Sequence, residues 1–109
     1  MSLTLPIMIR RVQGHSMVPV LPPGTLVYAW RWYLRLKPQK VIIFNRDNRE
    51  TVKRIDRIET DGLFVVGDHA EASTDSRHYG VIPVALVTGV VFWPRTAKVL
   101  AETKNRKTD

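Results

Sequence analysis

The chain has 109 residues, one domain's worth, which excludes a multidomain enzyme or a repeat array. Its composition, 44% hydrophobic and 25% charged, is that of an ordinary globular domain, and the absence of cysteine excludes a disulfide framework, a thiol nucleophile and cysteine-based metal sites. The net charge of +7 raises nucleic acid and anionic lipid as partners, but Arg95, Lys98, Lys104, Arg106 and Lys107 against Glu102 and Asp109 place much of it in residues 95–109. That stretch reads as a solvated basic tail behind a mildly basic domain of residues 1–94.

In chain order, short β-branched and aromatic runs separated by turn chemistry predict a mainly β domain, with strands over residues 9–13, 25–30, 40–45, 51–59, 63–66 and 87–93. The first dozen residues do not follow a signal-peptide pattern, because Pro6 interrupts a short apolar run and Arg10 and Arg11 follow it. Pro22-Pro23-Gly24 predicts a tight turn, residues 45–49 a polar hairpin loop, and Asp61-Gly62 a hairpin turn at whose centre both residues tolerate positive φ. Val41-Ile42-Ile43-Phe44 is apolar on both faces and predicts a central strand covered on both sides. Residues 67–80 are polar and irregular, and so long a loop in so small a domain suggests a functional segment. The longest apolar runs, residues 81–87 and 90–93, fall far short of the ~20 residues of a spanning helix.

Lys53 is ambiguous on pattern alone. Strict alternation puts it on one face with Thr51, Ile55 and Arg57, and puts Val52, Arg54 and Asp56 on the other, so neither face is cleanly the core face. Turned inward, the lysine is desolvated, its pKa falls and it can serve as a base; turned outward, it is a solvated edge charge. The three histidines, His15, His69 and His78, lack ligand spacing, so no metal or other cofactor is expected. His15 adjoins Ser16, but neighbours on an extended chain point to opposite faces, which argues against a histidine-assisted serine. Residues 30–37, Trp-Arg-Trp-Tyr-Leu-Arg-Leu-Lys, interleave aromatics with cations; they read either as core-packing aromatics with solvated cations or as a headgroup-layer contact, and nucleic acid is not expected.

Four segments taken in order resemble the bacterial signal peptidase I family. Ser16-Met17-Val18-Pro19-Val20-Leu21 resembles its nucleophile box, Pro38-Gln39-Lys40 with the apolar run 41–44 its Pro-Gly-Asp box, and Val52-Lys53-Arg54-Ile55 its lysine box. Gly67-Asp68-His69 and Ser73-Thr74-Asp75-Ser76-Arg77, with Gly80, resemble its last box. The departures are Gly14 where many members carry a hydroxyl, Val20 for threonine, Gln39-Lys40 for Gly-Asp and His69 for asparagine.

The resemblance implies a single compact domain of twisted antiparallel sheets, a core shared with LexA-type repressors, and a serine endopeptidase. Ser16 would be the nucleophile, with its backbone N–H in the oxyanion hole, and Lys53, turned inward, the general base. Ser73 would orient the lysine, Asp75 and Arg77 would brace the loop, and Met17 and Pro19 would contact substrate. The implied substrate is a leader or signal-type peptide with small residues near the cleavage site. The match is to a short, anchorless core such as occurs among maturation proteases, expected in the cytoplasm or on a membrane surface. A self-cleaving LexA-like domain and a catalytically silent binding module are the competing readings.

Overall fold

A computed structural model describes residues 5–32 and 35–96. The expected residues 95–109 tail therefore lies almost wholly outside the described residues, as do two positions of the aromatic segment, Tyr33 and Leu34. The six strands expected from sequence all form: β1 (Ile7–Arg11), β2 (Leu26–Trp30), β3 (Val41–Arg46), β4 (Arg49–Glu59), β5 (Gly62–Val66) and β6 (Val87–Trp93). They make one antiparallel sheet in the order β1-β2-β6-β3-β4-β5. Among the described residues no helix is long and apolar enough to cross a membrane.

β3 is central between β6 and β4, and all four of its leading apolar residues are buried. Because successive side chains on a strand point to opposite faces, the run feeds two cores. Val41 and Ile43 join Met8, Val12, Met17, Leu21, Val27, Ala29 and Val91; Ile42 and Phe44 join Ile55, Leu63, Val65, Ile82, Val87 and Val90. Each fully buried side chain of this size contributes roughly 1.5–3 kcal/mol, so β3 anchors both halves of the domain.

The turns differ in detail from the expectation. Gly24 takes φ 90° and Thr25 N–H donates to the Pro22 carbonyl, giving the expected tight turn. Between β3 and β4 the polar loop tightens to two residues, Asp47 and Asn48, both with positive φ as a type I′ hairpin demands, so that Arg46 pairs with Arg49. The expected Asp61-Gly62 turn lies one residue earlier, at Thr60-Asp61, and Gly62 already pairs with Glu59 as the first residue of β5. Glycine is needed there because Gly62 has φ 152° and a Cβ would run into the backbone of Ile82.

The sheet curls until β1 approaches the start of β4, where Arg10 Nε donates to Glu50 Oε1 at 2.6 Å. β5 pairs with β4 only from Arg54 onward, so the Arg49–Lys53 stretch has a strand partner on one side alone among the described residues. The outer face of β1, β2 and β6 is apolar and exposed. Ile7 lies opposite Trp30 and Ile9 opposite Tyr28, while Trp30 stacks on Phe92 at 4.7 Å and Tyr28 meets Trp93 edge-on at 5.7 Å. Trp32, at 67% exposure, lies just past the end of β2.

Candidate active site

Residues 67–80, expected to be one irregular loop, contain two short helical turns, Ala70–Ala72 and Ser76–Tyr79 (α1). Asp75 organises the segment. It caps α1 by accepting from Arg77 N–H at 3.1 Å, while its own N–H donates to His78 Nδ1 in a reciprocal capping box. Its carboxylate also accepts from Gly67 N–H at 2.7 Å, from the Arg77 guanidinium at 2.5 and 2.9 Å, and from the Ser73 hydroxyl at 2.6 Å. Burial alone would push the Asp75 pKa up, but these donors, Arg77 first, hold it well below the usual carboxylate range.

Lys53 is buried, and its Nζ donates to Ser73 Oγ at 3.0 Å. Desolvation lowers its pKa; Asp75 opposes that shift and Arg77 adds to it. The direction of the hydrogen bonds matters. The only hydrogen on Ser73 Oγ is committed to Asp75, so the hydroxyl can accept from the lysine amine but cannot donate to it. A neutral Lys53 held in this way keeps its lone pair free for another partner.

The outward-facing alternative for Lys53 thus does not hold, and neither does strict alternation. Lys53, Arg54 and Ile55 are buried in succession, because β4 is covered on both sides there. The register then shifts between Ile55 and Arg57, leaving Asp56 as the extra residue of a β-bulge.

Arg54, which the sequence reading left without a role, is 1% exposed and holds Asp68 in a two-point ion pair at 2.8 and 2.7 Å, with a further bond to the Gln39 carbonyl. That pair fixes the chain next to His69, whose N–H donates to the Ser16 carbonyl at 2.8 Å. Adjacent residues of β4 thus hold the two loops that carry Ser16 and Ser73. Gly67 lies between them, where a Cβ would collide with Ser73 Oγ and stand 2.7 Å from the Ser16 carbonyl oxygen. Its own side of the pattern was visible only as the first residue of the Gly-Asp-His segment.

Ser16 is half-buried in a turn after β1, and neither its hydroxyl nor its N–H makes a hydrogen bond among the described residues. It lines two cavities, each of about 600 Å³, and Lys53 lines both as well. One lies between β1 and the start of β4; the other lies between the His15 side of the turn, the β3–β4 hairpin and Tyr79. Arg46 stacks over the Tyr79 ring at 3.7 Å and closes the second. Met17 is buried in the core and lines the first cavity, whereas Pro19 is exposed and lines neither. Among the described residues no cluster of histidines and acids could hold a metal ion.

The fold and this cluster define a class, small β domains that set serine hydroxyls and a desolvated lysine around one cleft. Within it, residues 33–95 match the family signal peptidase, peptidase S26, and the chain belongs to that family. The matched stretch includes Lys53, Ser73, Asp75 and Arg77, with Ser16 upstream of it. A mitochondrial ATP-independent inner membrane protease subunit 1b from Arabidopsis thaliana is 30% identical over 109 residues, covering 73% of this chain and 64% of that relative. The chain thus spans less than two thirds of the length of that relative.

Proposed function

We propose that this chain is a serine endopeptidase in which residues 1–94 form the catalytic domain, Ser16 is the nucleophile and Lys53 the general base, acting on leader or signal-type peptides with small residues near the scissile bond. The observation that carries the reading is the Lys53 amine, desolvated and held by a Ser73 hydroxyl whose proton is already given to Asp75, at the junction of two cavities that Ser16 also lines.

The chemistry follows from these groups. Ser16 Oγ attacks the carbonyl carbon as its proton passes to the Lys53 lone pair. The Ser16 N–H is free to donate to the oxyanion that develops. The protonated lysine returns its proton to the leaving amine as the peptide bond breaks, and the same base then activates water to release the acyl group from Ser16. Asp75 keeps its charge throughout and holds Ser73 in the accepting orientation. A substrate strand would add beside the open Arg49–Lys53 stretch of β4, where backbone groups suit an extended peptide.

Peptide libraries carrying small residues at alternating positions, with products mapped by mass spectrometry, test this reading. The wild type is expected to cut after small residues and Ser16→Ala to leave the same peptides intact; undiminished cleavage by Ser16→Ala would overturn the assignment.

The outer face of β1, β2 and β6 supports a second part of the proposal, peripheral contact with a membrane surface. Trp30 and Phe92 share a cavity wall with Arg95, and Arg31 lies between Trp30 and Trp32 in sequence, a combination suited to the headgroup layer. Co-sedimentation with phosphatidylglycerol vesicles should fall severalfold in Trp32→Ser and Trp93→Ser; binding equal to wild type in both would contradict it.

A further inference from the structure

The cavity between β1 and β4 has two chemically unlike ends. Four antiparallel steps separate these strands in the sheet, so they run in the same direction along the cleft. Ser16 lies in the turn that follows β1, and Lys53 stands four positions into β4 from Arg49. Arg49 and Glu50 begin β4, and Arg10, from the C-terminal end of β1, reaches Glu50 across the cleft, with Arg11 next to it in sequence. Glu50 is occupied by Arg10, and Arg11 donates to the Gly24 carbonyl at 2.7 Å. The Arg49 guanidinium has no carboxylate partner among the described residues. Three guanidinium groups against one carboxylate leave the wall of this cleft positive, and a concave wall concentrates the field of such charges on whatever enters.

Resting on the peptidase reading, we infer that the Arg49 end of the cleft is a subsite for an acidic side chain of the substrate, with Arg49 as the specificity-determining residue. Arg49 precedes Lys53 by four strand positions, about 13 Å at the usual rise. An extended peptide lying along β4 covers that span in about four residues, so the acid stands about four residues from the scissile bond. The peptide's direction along β4 decides whether that is the amino or the carboxyl side. An arginine here can grip a carboxylate through two parallel N–H donors, which a lysine cannot.

The test scans a single glutamate, with glutamine as its neutral control, through positions up to six residues on either side of the cleavage site of a peptide. It measures kcat/KM with the wild-type protein and Kd by fluorescence anisotropy with Ser16→Ala. Glutamate is expected to improve both about tenfold at one position, three to five residues from the bond, with the gain in KM rather than kcat. In Arg49→Gln the glutamate-to-glutamine ratio should fall to about one, and in Arg49→Glu a lysine at that position should be favoured instead.

A gain spread evenly over all positions reports only net charge and would overturn the inference, as would a ratio that survives in Arg49→Gln. If wild type cuts no peptide while Ser16→Ala binds the glutamate peptides in the position-dependent, Arg49-dependent way, the peptidase reading fails and the acidic subsite stands. Absence of preferential binding removes the subsite whatever happens to cleavage.

Discussion

Replacing Lys53 with methionine is expected to lower kcat by about 10⁴-fold or more while leaving the fold intact or slightly more stable. The two effects have one origin. A lysine at 5% exposure is held against its preference for water, and that same desolvation lowers its pKa and makes it a usable base. Methionine fills a similar volume with no charge to bury, so the penalty disappears together with the lone pair proposed to take the Ser16 proton. Lys53→Arg keeps a charge that never deprotonates, and it should be as inactive as the methionine variant and less stable. Thermal unfolding and peptide cleavage on the same samples check the pair. A methionine variant that unfolds far below the wild type would mean that Lys53 is held for structure, and one that retains cleavage would mean that another group accepts the serine proton.

Removing Asp75 has the largest expected effect on stability. Its carboxylate accepts from the Gly67 and Arg77 backbones, the Ser73 hydroxyl and the Arg77 side chain, so Asp75→Ala strands several donors at once. Breaking such a buried set costs about 3 kcal/mol or more, equivalent to roughly 15 °C in Tm for a domain of this size.

The pH dependence has a definite sign. The folded-state pKa of Asp75 is depressed, so its stabilisation is complete above the ordinary aspartate pKa of about 3.9 and is lost as pH falls through the folded value. The difference in urea midpoint between wild type and Asp75→Ala should therefore be constant near neutrality and narrow below about pH 4. A difference that stays constant through strongly acid conditions would mean that the charge of Asp75 does not stabilise the fold. Asp75→Asn, which keeps one acceptor oxygen but no charge, should fold better than the alanine variant and less well than the wild type.

The strands were legible because their signals are local. β3 declared itself as a two-sided apolar run, and β6 kept its expected bounds at both ends. The error in β1, which runs over Ile7–Arg11 rather than 9–13, has a local cause. Met8 and Val27 face inward and set the register with β2, and the chain leaves the strand before Val12 to form the turn that carries Ser16.

The side-chain network was legible only in part. The resemblance placed Lys53 inward, but period-two alternation could not, since it assumes one wet face and β4 is dry on both where it carries Lys53 and Arg54. The Arg54–Asp68 pair and the bond from Ser73 to Asp75 join residues brought together by tertiary packing and turn geometry, and neither leaves a trace in hydrophobic pattern. The aromatic face was foreseen only in residues 30–37, because Tyr28, Phe92 and Trp93 reach it through the pairing of β2 with β6.

The pH profile of kcat/KM for a cleaved peptide tests the central claim most directly. A neutral, desolvated Lys53 as the base predicts an activity that rises with a single apparent pKa well below the lysine value of about 10.4, and a limb that disappears in Lys53→Met. An activity that rises only with an ordinary lysine pKa, or a limb that persists without Lys53, would contradict it.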